Sequence, residues 1–220
     1  MIRARPETGS RAARETIVGV AAMAAVVVAS NVLVQFPVSG VLGPLVLADL
    51  LTWGAFTYPV AFLVTDLVNR RLGAAAARRV VLVGFAIAVA LSFAFATPRI
   101  AIASGTAFLV AQLLDVAVFD RLRGRAWWQP PLASSLIGSA VDTLLFFSLA
   151  FAASLAVLGA SDPFAVEQAP FLGVLALEVP RWMSWAAGDL AVKLLVAVAL
   201  LAPYRAVLAL FAAAPLAARR

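Results

Sequence analysis

Long apolar runs alternate with short breaks rich in arginine, proline or glycine along the whole chain. The runs cover residues 16–38, 52–69, 80–97, 100–119, 132–158 and 182–201. Each is close to the ~20 residues that a bilayer crossing requires, so the pattern predicts six membrane helices and an all-α polytopic fold. Residues 40–51 are also apolar, but Gly43, Pro44 and Asp49 interrupt them. That stretch is too short and broken for a span and predicts a re-entrant or surface-packed connector. Pro59 lies inside the second run, four arginines fill the turn at 70–79, and Pro98 closes the third run. The longest loop, 159–181, is acidic and contains prolines. The expected layout is a basic segment at 1–15, disordered at its start, a six-helix domain at 16–210 and a tail at 211–220. A basic start before an apolar run resembles a signal peptide, yet this run is long and no cleavage site follows it.

Composition sharpens the class. Of 220 residues, 64% are hydrophobic and 13% charged, with a mean hydropathy of +1.02. Soluble domains carry roughly a quarter charged residues, so this is an integral membrane protein. The net charge of +6 would suggest nucleic acid in a soluble protein. Here the arginines sit between apolar runs, which is the positive-inside pattern, and no direct nucleic-acid binding is expected. With six spans, 14 basic residues fall on the side of the two termini and only Arg99 and Arg181 on the other, Lys193 being inside a run. Both termini are therefore expected in the cytoplasm. There are no cysteines and no histidines. Disulfides, thiolate metal sites, His-based nucleophiles and HExxH zinc sites are thereby excluded, and no metal or cofactor is expected.

The polar residues inside the runs carry the remaining information. Asp142 lies near the middle of the fifth run, where a carboxylate costs ~2.5–3.5 kcal/mol even on the lenient insertion scale. Ser135 and Ser139 precede it by seven and three residues, on the same helical face. Gln112 and Asp115 share a face of the fourth run, and Asn31 and Gln35 stand one turn apart near the end of the first. Asp189 and Lys193 are spaced i, i+4 and would neutralise each other. Asp66 and Asp120 lie beside arginines, and for Asp120 a surface salt bridge is the expectation. Asp115 and Asp142 have no basic residue within one turn and point to function. Trp53, Phe56, Tyr58, Phe146 and Phe147 supply stacking faces. Such a lining suits a small, planar, hydrogen-bonding solute, with Asn31, Gln35, Trp53, Phe56, Asp66, Gln112, Asp115, Ser135, Asp142, Phe146, Asp189 and Lys193 as candidate binding residues. Arg99, at the outer start of the fourth run, is a candidate gate or interfacial anchor.

Several stretches in order, SNVLVQFPV (30–38), TWGAFTYPVAFLVTDL (52–67), AQLLDVAVFDRLR (111–123) and SSLIGSAVDTLLFFSLAF (134–151), resemble the queuosine precursor transporters, the YhhQ-type, vitamin-uptake-transporter-like family. Asp189 and Lys193 sit as that family's Asp and Lys do. Many relatives carry an acidic residue soon after the TD motif, whereas this chain reads DLVNRRLG with Arg70 and Arg71, as in the proteobacterial branch. The resemblance implies a six-helix importer of 7-cyano- and 7-aminomethyl-7-deazaguanine in the bacterial inner membrane, for tRNA queuosine salvage. It also implies a helical fold related to the substrate-binding subunits of energy-coupling-factor transporters. An alternative within the same class is an importer of another planar solute or vitamin, as the binding subunit of such a system.

A deazaguanine presents an N1–H and a 2-amino group side by side, which one carboxylate accepts as a pair. Asp142 or Asp115 is expected to take that edge, with Gln112, Asn31 and Gln35 completing the hydrogen bonds. The cationic aminomethyl substrate gains ~2.3 kcal/mol per 100 mV of inward potential. The neutral cyano substrate needs proton coupling through a buried Asp, metabolic trapping or an ATP-driven partner. A homo-oligomer is compatible with all of these. An intramembrane protease is disfavoured: no histidine base exists, and Gly188–Asp189 only remotely resembles an aspartyl-type GxGD motif. No enzymatic activity is expected.

Overall fold

The computed structural model describes residues 6–217, with side chains over 11–211. Arg3, Arg5 and the chain's first residues, together with Arg219 and Arg220, lie outside the described residues. The first helix, α1 (Pro6–Leu33), begins well before the apolar run does. Residues expected as part of an irregular basic segment thus form its first turns, and Glu15 accepts from Arg11 on the same helix.

After α1 the chain turns back on itself. Val38 donates to the Leu51 carbonyl and Trp53 to that of Phe36, so the entry and exit of the connector are stitched together. Between them β1 (Val41–Leu42) and β2 (Leu45–Val46) form a hairpin. Gly43, at φ 59°, supplies the positive φ that the first position of a two-residue primed turn demands. The expected connector is therefore a small β-hairpin followed by a 3₁₀ turn at Leu47–Asp49.

The second run does not form one helix. It gives a single turn, α2 (Gly54–Thr57), and then α3 (Val60–Leu72), divided at Pro59, which lacks the N–H that a continuous ladder needs. The expected four-arginine turn shrinks to Gly73, at φ 90°, between α3 and α4 (Ala74–Phe95). Arg70, Arg71, Arg78 and Arg79 consequently sit on helix ends. Helix α5 (Pro98–Leu122) starts with Pro98 in its first turn and Thr97 as N-cap.

Helix α6 (Gln129–Phe151) ends seven residues short of the expected boundary, and a kinked 3₁₀ segment (Ala153–Leu158) replaces its last two turns. The long loop is partly ordered, with α7 (Pro163–Val166) capped by Asp162 and a second hairpin of β3 (Gln168–Phe171) and β4 (Leu175–Pro180). Helix α8 (Arg181–Ala199) breaks before α9 (Leu201–Ala217). Pro203 accounts for the break, because its ring clashes with the carbonyl four residues back, at Ala199.

Among the described residues, five helical stretches are long and apolar enough to cross a membrane: residues 11–33, α4, α5, α6 and the α8–α9 pair. Exposed Ile17, Leu82, Phe93, Leu144, Leu195 and Leu210 leave these helices oily on the outside. The protein is a polytopic, essentially all-α membrane protein.

Packing inside it relies on small residues. Helices α5 and α6 make the most extensive pairing; Ala103, Ala107, Ala111, Ser134, Gly138 and Ser139 on them are all buried, and Gly138 meets the Ala111 carbonyl. Small side chains let membrane helices approach closely, where packing rather than water exclusion drives association. Met23, Val27, Val80, Val81, Phe108 and Val116 join α1, α4 and α5 in the main apolar core. The two hairpins lie at one end of the bundle and the arginine-rich helix ends at the other. At that basic end, Arg71 holds Glu15 with two bonds of 3.1 Å.

Candidate functional site

A cavity of about 770 Å³ opens at the hairpin end. Its size falls in the range of small-molecule sites. Its walls come from the end of α1, the β1–β2 connector, α2, α5, α6, the β3–β4 hairpin and α8. The helices bring polar groups to its floor and the hairpins close over its mouth.

The floor is one ionic network. Lys193 on α8 donates to Asp142 Oδ2 at 2.7 Å and lies 2.5 Å from Asp189 Oδ2. The Thr143 hydroxyl donates to the same Asp189 oxygen at 2.7 Å and stands 3.2 Å from the lysine. The Tyr58 hydroxyl donates to Asp142 Oδ1 at 2.9 Å, and its ring lies 5.2 Å from the ammonium. Two carboxylates against one ammonium leave a formal charge of −1. The expected Asp189–Lys193 neutralisation is present, but Lys193 also bridges to α6, so the pair becomes a triad. A buried cluster of this kind holds together only while each charge keeps its partner.

Aromatic rings form one wall. Phe146, Phe147, Phe151, Phe164 and Trp185 all line the cavity. Phe151 meets Trp185 edge-on at 5.6 Å, and Phe146 meets Phe147 in the same way at 5.1 Å. Arg181 stands over the Phe164 ring at 4.5 Å and pairs with Glu167 at 3.2 Å, tying α7 and the residue that follows it to α8.

Of the twelve candidate binding residues, Asn31, Asp142, Phe146, Asp189 and Lys193 line this cavity. Gln35, Trp53, Phe56, Asp66, Gln112, Asp115 and Ser135 do not. Gln35 is exposed and spends its amide on the Asn31 carbonyl, and the Trp53 ring, 47% exposed, packs against Phe56. Asp66, Gln112, Asp115 and Ser135 form a second polar cluster deeper in the bundle. There Ser134 and Ser135 donate to the two oxygens of Asp66, and Thr65 donates to Gln112. Their polar faces are real, but α3, α5 and α6 turn them toward one another.

Arg99 is neither at the mouth nor free. It is 4% exposed and donates to the carbonyls of Leu149, Ala152 and Gly159 and to the Ser161 hydroxyl. It clamps the C-terminal end of α6, where a helix presents unpaired carbonyls and negative partial charge. Asp120 pairs with Arg123 at 3.0 Å at the exposed basic end, as its position beside arginines suggested.

Tyr58, Thr143, Asp49, Arg181 and Trp185 are site residues outside the candidate set. Tyr58 had a signal, being an aromatic with a polar tip inside a membrane run. Its reach to α6 depends on the break at Pro59, which a span drawn as one helix conceals.

The family model described as "Putative vitamin uptake transporter" matches residues 52–97 and 90–207, which cover every helix of the cavity except α1. The chain is 35% identical over 204 residues to the queuosine precursor transporter of Escherichia coli (strain K12), covering 83% of this chain and 81% of the relative. The chain belongs to the queuosine precursor transporter family. It is 41% identical over 143 residues to the probable queuosine precursor transporter of Haemophilus influenzae, covering 56% of this chain and 58% of that one. The Bacillus subtilis relative of the same description is 28% identical over 128 residues, 46% of this chain and 56% of the relative. No solved structure matches the chain. As a member of the queuosine precursor transporter family, the protein is a multi-pass membrane transporter and not an enzyme.

Proposed function

We propose that the protein imports queuosine precursors of the deazaguanine class, 7-cyano- and 7-aminomethyl-7-deazaguanine, through the cavity between the hairpins and the Asp142–Lys193–Asp189 triad. The observation that carries this reading is the triad at the floor of an aromatic-walled cavity of about 770 Å³. The flat heterocycle stacks against the Phe146, Phe151 and Trp185 wall. Its paired N1–H and 2-amino donors meet the carboxylate of Asp189, whose Oδ1 lies outside the network that occupies Oδ2.

The network explains how binding is exchanged rather than added. The ammonium has three N–H groups, and Asp142, Asp189 and Thr143 are arrayed around it. When the guanine-like edge takes Asp189, one lysine N–H is released toward the 6-oxo group. Asp142 and Tyr58 keep the ammonium in place during that exchange. The formal charge of −1 at the floor also favours the cationic aminomethyl substituent.

In the membrane, α2 and α3 together provide the sixth crossing beside the five long ones. The basic end, with Arg70, Arg71, Arg78, Arg79, Arg121, Arg123 and Arg125, faces the cytoplasm by the positive-inside rule, and the cavity opens outward. The test is salvage in a bacterium that lacks both precursor synthesis and its own importer. Expression of this chain with scarce deazaguanine should restore queuosine in tRNA, and Asp142→Asn should abolish it without loss of the protein from the membrane. Restoration that survives Asp142→Asn and Asp189→Asn together overturns the site. No restoration by the wild-type chain overturns the substrate.

A further inference from the structure

Below the cavity floor lies a polar cluster that substrate in the cavity does not touch. Asp66 on α3 and Asp115 on α5 are 1% and 0% exposed, and the bonds from Thr65 to Gln112 and from Asn69 to the Val116 carbonyl hold the two helices together on either side of them. Ser134 and Ser135 donate to Asp66 at 3.1 and 3.5 Å. Neither oxygen of Asp115 has a partner among the described residues, nor do Gln112 Nε2 and Ser139 Oγ, and all of these are fully buried.

The surrounding charges are few. The nearest cation is Arg70, one turn beyond Asp66 on α3. Two of its nitrogens are engaged, donating to the Tyr204 hydroxyl on α9 at 3.0 Å and to the Arg123 carbonyl at 2.9 Å. Its remaining nitrogen, Nη2, is buried without a partner. Arg123 itself is held by Asn69 and Asp120. From α6 only serines face the pair until Asp142, which Lys193 already neutralises.

Two neighbouring, fully buried carboxyls inside a bilayer, with no cation donating to either, are not both ionised. Asp142, Ser139 and Ser135 follow one face of α6 from the cavity floor to the pair. On the other side of Asp66 a small pocket of about 10 Å³ is lined by Asp66, Ser135, Tyr204 and apolar side chains of α3, α6 and α8.

We propose that Asp66 and Asp115 form a proton-carrying site, so that each import cycle moves one proton inward with the substrate. This deepens the importer reading and rests on it for the identity of the cargo. The proton adds to a carboxylate of the pair from the hairpin side, along the α6 hydroxyls. It leaves to water at the basic end when Arg70 turns its unpartnered Nη2 onto Asp66 and takes the proton's place as counter-charge. Only an O–H bond forms and breaks. Asp142, Asp189 and Lys193 hold the substrate, and Asp66 and Asp115 hold the driving ion.

The test uses the full chain in proteoliposomes with the membrane potential clamped to zero and the neutral 7-cyano-7-deazaguanine as probe. Uptake should acidify the lumen, and external acid of one pH unit should raise accumulation about tenfold for one proton per substrate. Asp115→Asn and Asp66→Asn should each lose acid-driven accumulation while keeping exchange of labelled for unlabelled probe, which also shows that they fold. Acid-driven accumulation that persists in Asp115→Asn overturns the proposal, and so does uptake by the wild-type chain without lumen acidification. A substrate-independent arm runs beside it: infrared spectra of the wild-type chain in lipid at neutral pH. A deuterium-sensitive band of a protonated carboxyl should be present, shifted or lost in Asp66→Asn and in Asp115→Asn, absent from the double variant, and retained in Asp142→Asn. Its absence from the wild type overturns the proposal. A wild-type chain that shows the band yet carries no deazaguanine overturns only the choice of cargo.

Discussion

The ammonium of Lys193 on α8 sits 2.7 Å from the carboxylate of Asp142 on α6, and both side chains are about 95% buried. The bond joins two helices that Thr143 also ties through Asp189, and Asp189 gives the lysine a second anion at 2.5 Å. The arrangement is asymmetric. Asp142→Asn leaves Lys193 paired with Asp189, whereas Lys193→Met leaves two carboxylates facing each other. Removing one partner of a buried pair costs about 3–5 kcal/mol when the other is left uncompensated. Thermal unfolding of the purified chain should therefore show a clearly larger fall in Tm for Lys193→Met than for Asp142→Asn. Equal falls would mean that Asp189 does not share the lysine.

Tyr58 separates the hydroxyl's role from the ring's. The ring packs edge-on against Phe62 and Phe108, each at 6.2 Å, so Tyr58→Phe preserves that packing and deletes only the bond to Asp142. A hydrogen bond to a charged group contributes about 1.5–3 kcal/mol. Freed from it, Asp142 and Lys193 lose their fixed position at the cavity floor. Binding of deazaguanine, followed by calorimetry, should weaken about tenfold or more with little change in expression. Unchanged affinity would remove Tyr58 from the exchange network.

These two residues also show what a linear reading reaches. Asp142 was legible because no basic residue lies within one turn of it on its own run, and Lys193 because its i, i+4 spacing pairs it with Asp189. Asp115 and Gln112 were equally legible as polar, yet they face α3 and α6 instead of the cavity. Helical periodicity says which residues share a face, but not which neighbouring helix that face meets. Helix positions followed the apolar runs closely, while the ends moved wherever local backbone chemistry decided them, at Pro59, Gly73 and Phe151. The hairpins that cover the cavity were visible only as places where a helix fails. Their pairing depends on contacts made across the connector, such as Val38 with Leu51.

Close approach at glycine gives a graded prediction. A Cβ on Gly54 would lie 2.9–3.1 Å from the backbone and Cβ of Val34, where α2 meets the end of α1. A Cβ on Gly84 would lie 2.6 Å from the Met23 side chain, which is flexible and can yield. Overpacking costs typically about 1–3 kcal/mol when the neighbour cannot move. Gly54→Ala should therefore lower the Tm and the membrane-inserted yield more than Gly84→Ala, although the bare distance is shorter at Gly84. The reverse order would show that the α1–α2 contact is loose.

Arg99 is the test of how the cavity's outer wall is held. Its guanidinium spreads over the carbonyls of Leu149, Ala152 and Gly159, together with the Ser161 hydroxyl, at 2.6–3.0 Å. That places one rigid fork across the end of α6 and the segment leading to α7. Lysine keeps the charge but offers a single point of donation, so it cannot span acceptors so far apart in sequence. If Arg99 were only an interfacial anchor, Arg99→Lys would behave as wild type. As a clamp, it should resemble Arg99→Gln, with faster protease cleavage between residues 152 and 166 and weaker deazaguanine binding through the displaced Phe151 and Phe164. The triad at the floor is remote from this end, so Tm should fall less than for Lys193→Met. Limited proteolysis of the three proteins in lipid, read by mass spectrometry, distinguishes the two roles.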